Sequence, residues 1–317
     1  MSTFTRLVDA ALEAAVVPSF SRIGPAVRRR LDDWTPVPDL PGAGRTVVVT
    51  GANSGLGLAT AHGLASAGAA VRLLVRSDAK GAETAARLRD ASPDVDVAWY
   101  VADLSDLASV RRVAAEIRAT EPRLDALIHN AGAMFDRREV TADGIERTVA
   151  LHVVGPHLLT QLLLDRLTGG RVVWVSSGGM YTQRLDVDRL QSPADYAPAT
   201  AYARAKRAQV VLAREWQRRF GAEHDIAFHA MHPGWALTPG VESSLPVFRK
   251  VMGPLLRTPE EGADTSVWLA LSPEPDQGGA FWLDRRPRST VRVLATRSDP
   301  REAARLWDAV ERLTAGG

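Results

Sequence analysis

The chain has 317 residues, 45% of them apolar, enough for a substantial buried core, and its charges nearly cancel at a formal +2. Its basic residues are scattered rather than massed, which argues against a nucleic-acid partner, and the absence of cysteine excludes disulfides and thiolate metal sites. No apolar run approaches the roughly 20 residues of a membrane-spanning helix, and the N-terminus lacks the layout of a signal peptide, so a soluble cytoplasmic protein is expected.

Residues 1–44 read as a helical extension and linker. Phe4, Leu7, Val8, Ala11, Leu12, Ala15 and Val16 recur at helical spacing, which predicts an amphipathic helix up to Pro18. Two destinations stay open for it. An apolar helical stripe usually docks on its own domain, but Phe20, Ile23, Val27 and Trp34 around Arg28, Arg29 and Arg30 would also suit peripheral contact with a membrane through residues 1–34. A proline-rich link, Thr35 to Gly44, follows.

Thr46 to Thr50 is a β-branched run that reads as a buried strand and stops at Gly51, Gly55 and Gly57. Leu56 to Ala67 has helical composition and closes at Gly68. Strand, glycine turn and helix form the front of a phosphate-binding unit: glycine lets the backbone approach a pyrophosphate, and free N–H groups at the helix start favour its charge. Gly51, Asn53, Ser54, Gly55, Leu56 and Gly57 are therefore candidate cofactor contacts.

Ala70 to Val75 predicts a second buried strand. An acid near its end would hold the ribose 2′-hydroxyl of NAD, whereas an arginine accommodates a 2′-phosphate. Arg76 stands there and favours NADP, while nearby Asp78 keeps NAD open.

A helix through Glu83 to Leu88, a strand from Val95 to Val101, the pair Asp103-Leu104 and a helix from about Asp106 to Ala119 come next. Leu124 to His129 predicts a fourth strand ending in Asn130-Ala131-Gly132. A long helix from about Asp143 to Leu167 then precedes the strand Arg171 to Val175, which ends in Ser176-Ser177. The alternation predicts an α/β fold, a doubly wound, mostly parallel Rossmann-type sheet spanning residues 45–299.

Tyr202 and Lys206 sit four apart among strong helix formers, so their side chains share a helical face. A phenol of pKa about 10 is a poor base at neutral pH, and a neighbouring ammonium favours its phenolate. Alone, the spacing is also that of an ordinary surface helix. Thr258-Pro259-Glu260-Glu261 and Asp299-Pro300-Arg301-Glu302 read as capped helix starts, the second opening a C-terminal helix over 300–317, and Phe281 to Leu283 reads as the final strand. His157, His229 and His232 show no zinc-helix spacing, and no metal is expected.

Thr50-Gly51-x-x-x-Gly55-x-Gly57, Asn130-Ala131-Gly132, Ser177, Tyr202-x-x-x-Lys206 and Pro233-Gly234 occur in the order and spacing of the short-chain dehydrogenase/reductase family. Ser176-Ser177-Gly178-Gly179-Met180, Met231-His232-Pro233-Gly234-Trp235 and Gly262-Ala263-Asp264-Thr265 resemble its retinol-dehydrogenase-like branch. The resemblance implies Tyr202 as general acid/base, Lys206 on the nicotinamide ribose and Ser177 on the substrate oxygen. It further implies Asp103 and Leu104 at the adenine, Asn130, Ala131 and Gly132 on the adenosine side, and Pro233, Gly234 and Thr238 at the nicotinamide. Where the family has a proton-relaying asparagine, alignment on Gly155 puts His152, whose imidazole could also carry protons.

In the family the region 235–258 covers the substrate. Here it holds Leu237, Val241, Leu245, Val247 and Phe248, which suits a small lipophilic carbonyl or alcohol, though core packing accounts equally well for about half of such residues. Met180, Tyr181 and Leu185 are expected to add another wall. The expected function is NADP(H)-dependent interconversion of a lipophilic aldehyde or ketone and its alcohol. The alternative is a catalytically weak nucleotide-binding scaffold or sensor, and the oligomeric state stays open.

Overall fold

In the computed structural model the described residues are 3–192, 196–237, 250, 252–274 and 278–316. Their strands are β1 (Thr46–Thr50), β2 (Ala70–Val75), β3 (Val97–Val101), β4 (Ala126–His129), β5 (Arg171–Val175), β6 (Ala227–Met231), β7 (Phe281–Leu283) and β8 (Arg286–Arg288). They form one sheet in the order β3-β2-β1-β4-β5-β6-β7-β8, parallel throughout except for the antiparallel β7–β8 pair. Such a sheet is covered on both faces, which explains why its strands are apolar runs.

The side-chain period of two divides those runs between two cores. Val48, Leu74, Leu127 and Val172 face α6 (Leu107–Thr120), α7 (Gly155–Leu163) and α8 (Pro198–Trp216). Val47, Val49, Leu73 and Ile128 face α4 (Gly55–Ser66), α5 (Asp78–Ala91) and α9 (Pro259–Leu271). The C-terminal helix α10 (Pro300–Ala315) packs Trp307 against Trp216, with ring centroids 5.0 Å apart.

The predicted strands occur, with β3 and β4 each starting two residues late. The α5 helix runs well beyond the six residues expected, because Asp78 starts it and its exposed face is simply polar. The long helix over 143–167 is instead broken. Glu146 caps a short turn by accepting from the Thr148 and Val149 amides at 2.8 and 3.2 Å, a π-turn covers Ala150–Val154, and α7 then begins at Gly155 with Pro156 in its first turn. Proline cannot donate into the preceding turn, and a widened turn absorbs the mismatch. Strands β6 and β8 carried no clear sequence signal: His229 interrupts the first, and the second reads Arg-Pro-Arg.

The N-terminal extension, α1 (Thr3–Ala14), α2 (Val16–Phe20) and α3 (Ile23–Asp32), docks on the β7–β8 hairpin, and α1 does so by its polar face. Asp9 and Thr5 are buried, whereas Phe4 and Leu7 are 70% and 66% exposed. The reason is electrostatic. Arg28, whose side chain has no exposure, donates to Asp9 at 2.8 Å, Glu13 at 2.9 Å and Asp284 at 2.5 Å. Arg257 reaches the same Asp284 carboxylate at 2.6 Å, Arg286 pairs with Asp9 and Asp32, and Arg288 with Asp9. Burial opposes ionisation of Asp9, but hydrogen bonds from Arg288 and Arg28 win and hold its carboxyl well below the usual range.

Removing one member of a buried ion-pair network strands its partners' charge, at a cost of about 3–5 kcal/mol. Asp284 is the shared acceptor of two buried guanidiniums, so Asp284→Asn is expected to lower unfolding free energy by an amount of that order. Denaturant titration measures it, and an unchanged midpoint would contradict the importance given to this carboxylate.

Candidate active site

The strand order reverses between β1 and β4, and the carboxyl ends of the central strands open there into a cleft of about 600 Å³. Gly51 and Gly55 turn the chain out of β1 at φ of 64° and 51°, values that favour glycine. A Cβ on Gly57 would lie 2.2 Å from the Gly51 carbonyl oxygen, so only glycine lets α4 approach this closely. The turn is clasped from the side: Thr50 Oγ1 accepts from the Asn130 and Ala131 amides, both at 3.0 Å, while Asn130 Nδ2 donates to the Thr50 carbonyl at 3.0 Å. At the start of α4 the Ser54 side chain makes no capping hydrogen bond. The first N–H groups of that helix therefore remain available to an anion in the cleft, lined here by Gly51, Asn53, Ser54, Gly55, Leu56 and Gly57. Cradle and volume fit a dinucleotide.

Arg76 lies exposed at the end of β2 and lines the cleft. Asp78 does not line it, and its carboxylate accepts from Trp99 Nε1 at 2.8 Å. Asp103 and Leu104 line the same end, with the Asp103 carboxylate accepting from the Ser105 amide and hydroxyl at 2.8 and 2.7 Å. Asn130, Ala131 and Gly132 form the floor beside them.

The other end gathers the polar side chains. Ser177 follows β5, and its hydroxyl accepts from the Gly179 amide at 3.2 Å. Tyr202 and Lys206 project from α8, the Lys206 Nζ lying 5.4 Å from the Tyr202 ring centroid and donating to the Val175 carbonyl at 2.8 Å. Ser176 donates to the Lys206 carbonyl at 2.8 Å, tying α8 to β5. Pro233 and Gly234, after β6, complete this end. Thr238 and most of the region 235–258 lie outside the described residues.

The electrostatics correct one expectation. A neighbouring ammonium was expected to lower the Tyr202 pKa. Instead burial pushes the phenol up to about 12 against the opposing hydrogen bond from Ser177, and burial pushes Lys206 down to about 7. For the phenol, desolvation outweighs the Ser177 hydrogen bond, and the same burial acts against the ammonium beside it.

His152 differs from expectation too. It sits in the π-turn, fully buried and outside the cleft lining, with its ring edge-on to Tyr202 at 5.3 Å between centroids. Its Nε2 is held by the Ala133 backbone, lying 2.9 Å from that residue's carbonyl oxygen and 3.3 Å from its amide nitrogen. The remaining Nδ1 has no partner among the described residues, and a methyl placed on Gly132 would lie 3.3 Å from it and 3.6 Å from Lys206 Nζ. Burial first, and the Lys206 charge second, push its pKa down to about 3.

Residues the sequence did not flag also line the cleft, among them Met134, Phe135, Arg147, Leu151 and Thr182. They come from three separate segments and share no local spacing. Met180, Tyr181 and Leu185, expected as wall, are instead buried in the core under it.

The family model for short chain dehydrogenases matches residues 45–246. Human dehydrogenase/reductase SDR family member 12 is 39% identical over 277 residues, covering 85% of this chain and 86% of that protein. Human retinol dehydrogenase 12 is 35% identical over 278 residues, covering 84% of each. Among solved structures, a candidate NAD(P)-dependent gluconate 5-dehydrogenase from Beutenbergia cavernae with NADP bound superposes with a TM-score of 0.64 at 27% identity, covering 79% of this chain and 97% of that one. A dinucleotide-shaped cleft, a family match across most of the sheet and relatives of this extent lead to one conclusion: the chain belongs to the short-chain dehydrogenase family, and is an oxidoreductase dependent on NAD(P).

Proposed function

We propose that the chain interconverts a lipophilic aldehyde or ketone and its alcohol with NADP(H), Tyr202 acting as acid/base. The observation that carries this reading is the convergence of Ser177, Tyr202 and Lys206 at one end of a cleft whose other end is the glycine cradle. Bound nicotinamide would supply or accept the hydride there. Ser177 would hold the substrate oxygen by a hydrogen bond, a pre-organised contact for charge that develops on that atom. Tyr202, a phenol protonated at neutral pH and pushed further that way by burial, is in the correct state to give its proton to a carbonyl oxygen during reduction. Lys206, fixed on the Val175 carbonyl, would present its remaining N–H groups to the nicotinamide ribose. With its pKa near 3, His152 stays neutral, so it would serve the relay through a hydrogen bond at its unpartnered Nδ1 rather than by carrying charge.

NADP is favoured by the exposed Arg76 in the cleft wall and by the engagement of Asp78 with Trp99, and the NADP-bound relative accords with it. The apolar lining from Met134, Phe135, Leu151 and Trp235 favours a lipophilic substrate, in keeping with the name of the retinol dehydrogenase relative. A second reading concerns location. Asp9, Glu13 and Asp32 are consumed by buried arginines, so the outer face of the extension presents Phe4, Leu7, Val16, Val17 and Ile23 beside exposed Arg6, Arg22, Arg29 and Arg30. That face suits peripheral contact with an anionic membrane, on which the protein would sit from the cytoplasm.

Tyr202→Phe is expected to lower turnover of an aldehyde and ketone panel with NADPH by at least ~10²-fold while changing NADPH affinity less than about twofold. Comparable rates in the variant would remove the mechanism, and tight NADPH binding with no turnover by wild type would favour a nucleotide-binding scaffold. Arg76→Ala should weaken NADPH on the order of tenfold, the loss of a charge-assisted hydrogen bond, and leave NADH unchanged; equal effects on both would contradict the NADP assignment. Full-length protein should sediment with phosphatidylserine vesicles and much less with neutral phosphatidylcholine ones. Equal sedimentation with the two would refute the surface contact.

A further inference from the structure

Between the docked extension and the cleft lies one aromatic ring. Phe20, at the end of α2, is 3% exposed although its neighbours Val16 and Val17 face outward. Its ring centroid lies 4.6 Å from that of His232, 5.7 Å from that of Trp235 and 6.2 Å from that of Tyr181. On one side a Cβ added at Gly178 would come within 2.7 Å of its Cε2. Gly178 directly follows Ser177. On the other side the Phe20 carbonyl accepts from the Trp235 amide at 2.7 Å and from Arg257 Nε at 3.0 Å. The same carbonyl would lie 2.6 Å from a Cβ at Gly234, which is held at φ 71°. Arg257 in turn fixes the preceding carbonyl of Ser19 at 2.7 Å, and the Arg292 guanidinium covers the ring at 4.8 Å. Two walls of the cleft, the segment after β5 and the segment after β6, thus rest on one residue that is far from both in sequence and outside the span matched by the family model.

We propose that Phe20 is a positioning residue for the nicotinamide end of the cleft: its ring sets the segment that follows Ser177, and its carbonyl sets Gly234 and Trp235. The extension is thereby part of the active-site scaffold and not only a surface attachment. This rests on the NADP-dependent reading above. A packed ring of this kind acts locally, and the ring and carbonyl contacts above fall on the segments after β5 and β6 rather than on the glycine cradle. Its loss should misplace the nicotinamide subsite and leave the adenine-side subsites in register.

Two probes separate the ends. NADPH occupies both, and 2′,5′-ADP only the adenine side. For Phe20→Ala, NADPH affinity should fall at least about tenfold while 2′,5′-ADP affinity stays within about twofold, and the rise in nicotinamide fluorescence on binding should be lost. Phe20→Leu, which keeps most of the apolar volume, should lie between wild type and Phe20→Ala. It decides alone if the alanine variant fails to fold, a selective weakening of NADPH supporting the proposal. Equal weakening of both probes, or no change in either, overturns it. Wild type that binds 2′,5′-ADP but gains nothing from the nicotinamide half would also overturn it, without touching the fold. Wild type that binds neither probe sinks the dinucleotide reading itself and this inference with it.

Discussion

The rest of the molecule depends on a short clasp between the first and fourth strands. Thr50 and Asn130 exchange hydrogen bonds across the ends of β1 and β4, and Asn130 Nδ2 also donates to the Gly51 carbonyl at 3.3 Å. That arrangement holds the glycine turn at the one place where the sheet order reverses. Buried backbone polar groups at a strand end must find partners, and here they are satisfied without filling the crevice. The open crevice at the switch point is therefore a consequence of where those hydrogen bonds go. Gly57 then brings α4 against the turn with its N-terminus aimed into the space left free.

A second constraint acts from the opposite edge of the sheet. The β7–β8 hairpin collects arginines that would ordinarily be exposed, and the acids of α1 and α3 neutralise them. Arg285 adds a pair with Asp264 at 2.8 Å and lies over the Trp34 ring at 4.7 Å. Such pairs specify a docking geometry more than they add stability, since desolvation cancels much of the Coulomb gain. Their effect here is specific: they turn the polar side of α1 inward and leave its apolar side in solvent, the reverse of the usual surface helix.

Burial also sets the chemistry at the far end of the cleft. Tyr202, Lys206 and His152 form a close group in which none gains a formal counter-ion among the described residues. Each is therefore pushed toward its neutral form: the phenol upward, the ammonium and the imidazole downward. A site of this kind holds little fixed charge, so it responds strongly to whatever charge enters it.

What the sequence determined by itself was whatever depends on neighbours along the chain. The buried β-branched strands, the glycine turn, the i,i+4 placement of Tyr202 and Lys206 and the Thr258 capping box all follow from backbone geometry and short-range spacing, and the structure has them. The break before α7 was not read from the sequence: one helix was expected straight through Pro156, and no local spacing marks the compensating π-turn. Only the tertiary structure decided which face of α1 turns inward, whether Lys206 or desolvation governs Tyr202, which nitrogen of His152 is spare, and that Phe20 stands behind Gly178 and Trp235. These turn on partners up to hundreds of residues away and on exclusion from water. Neither a partner's identity nor a local dielectric is encoded in the periodicity of a single segment.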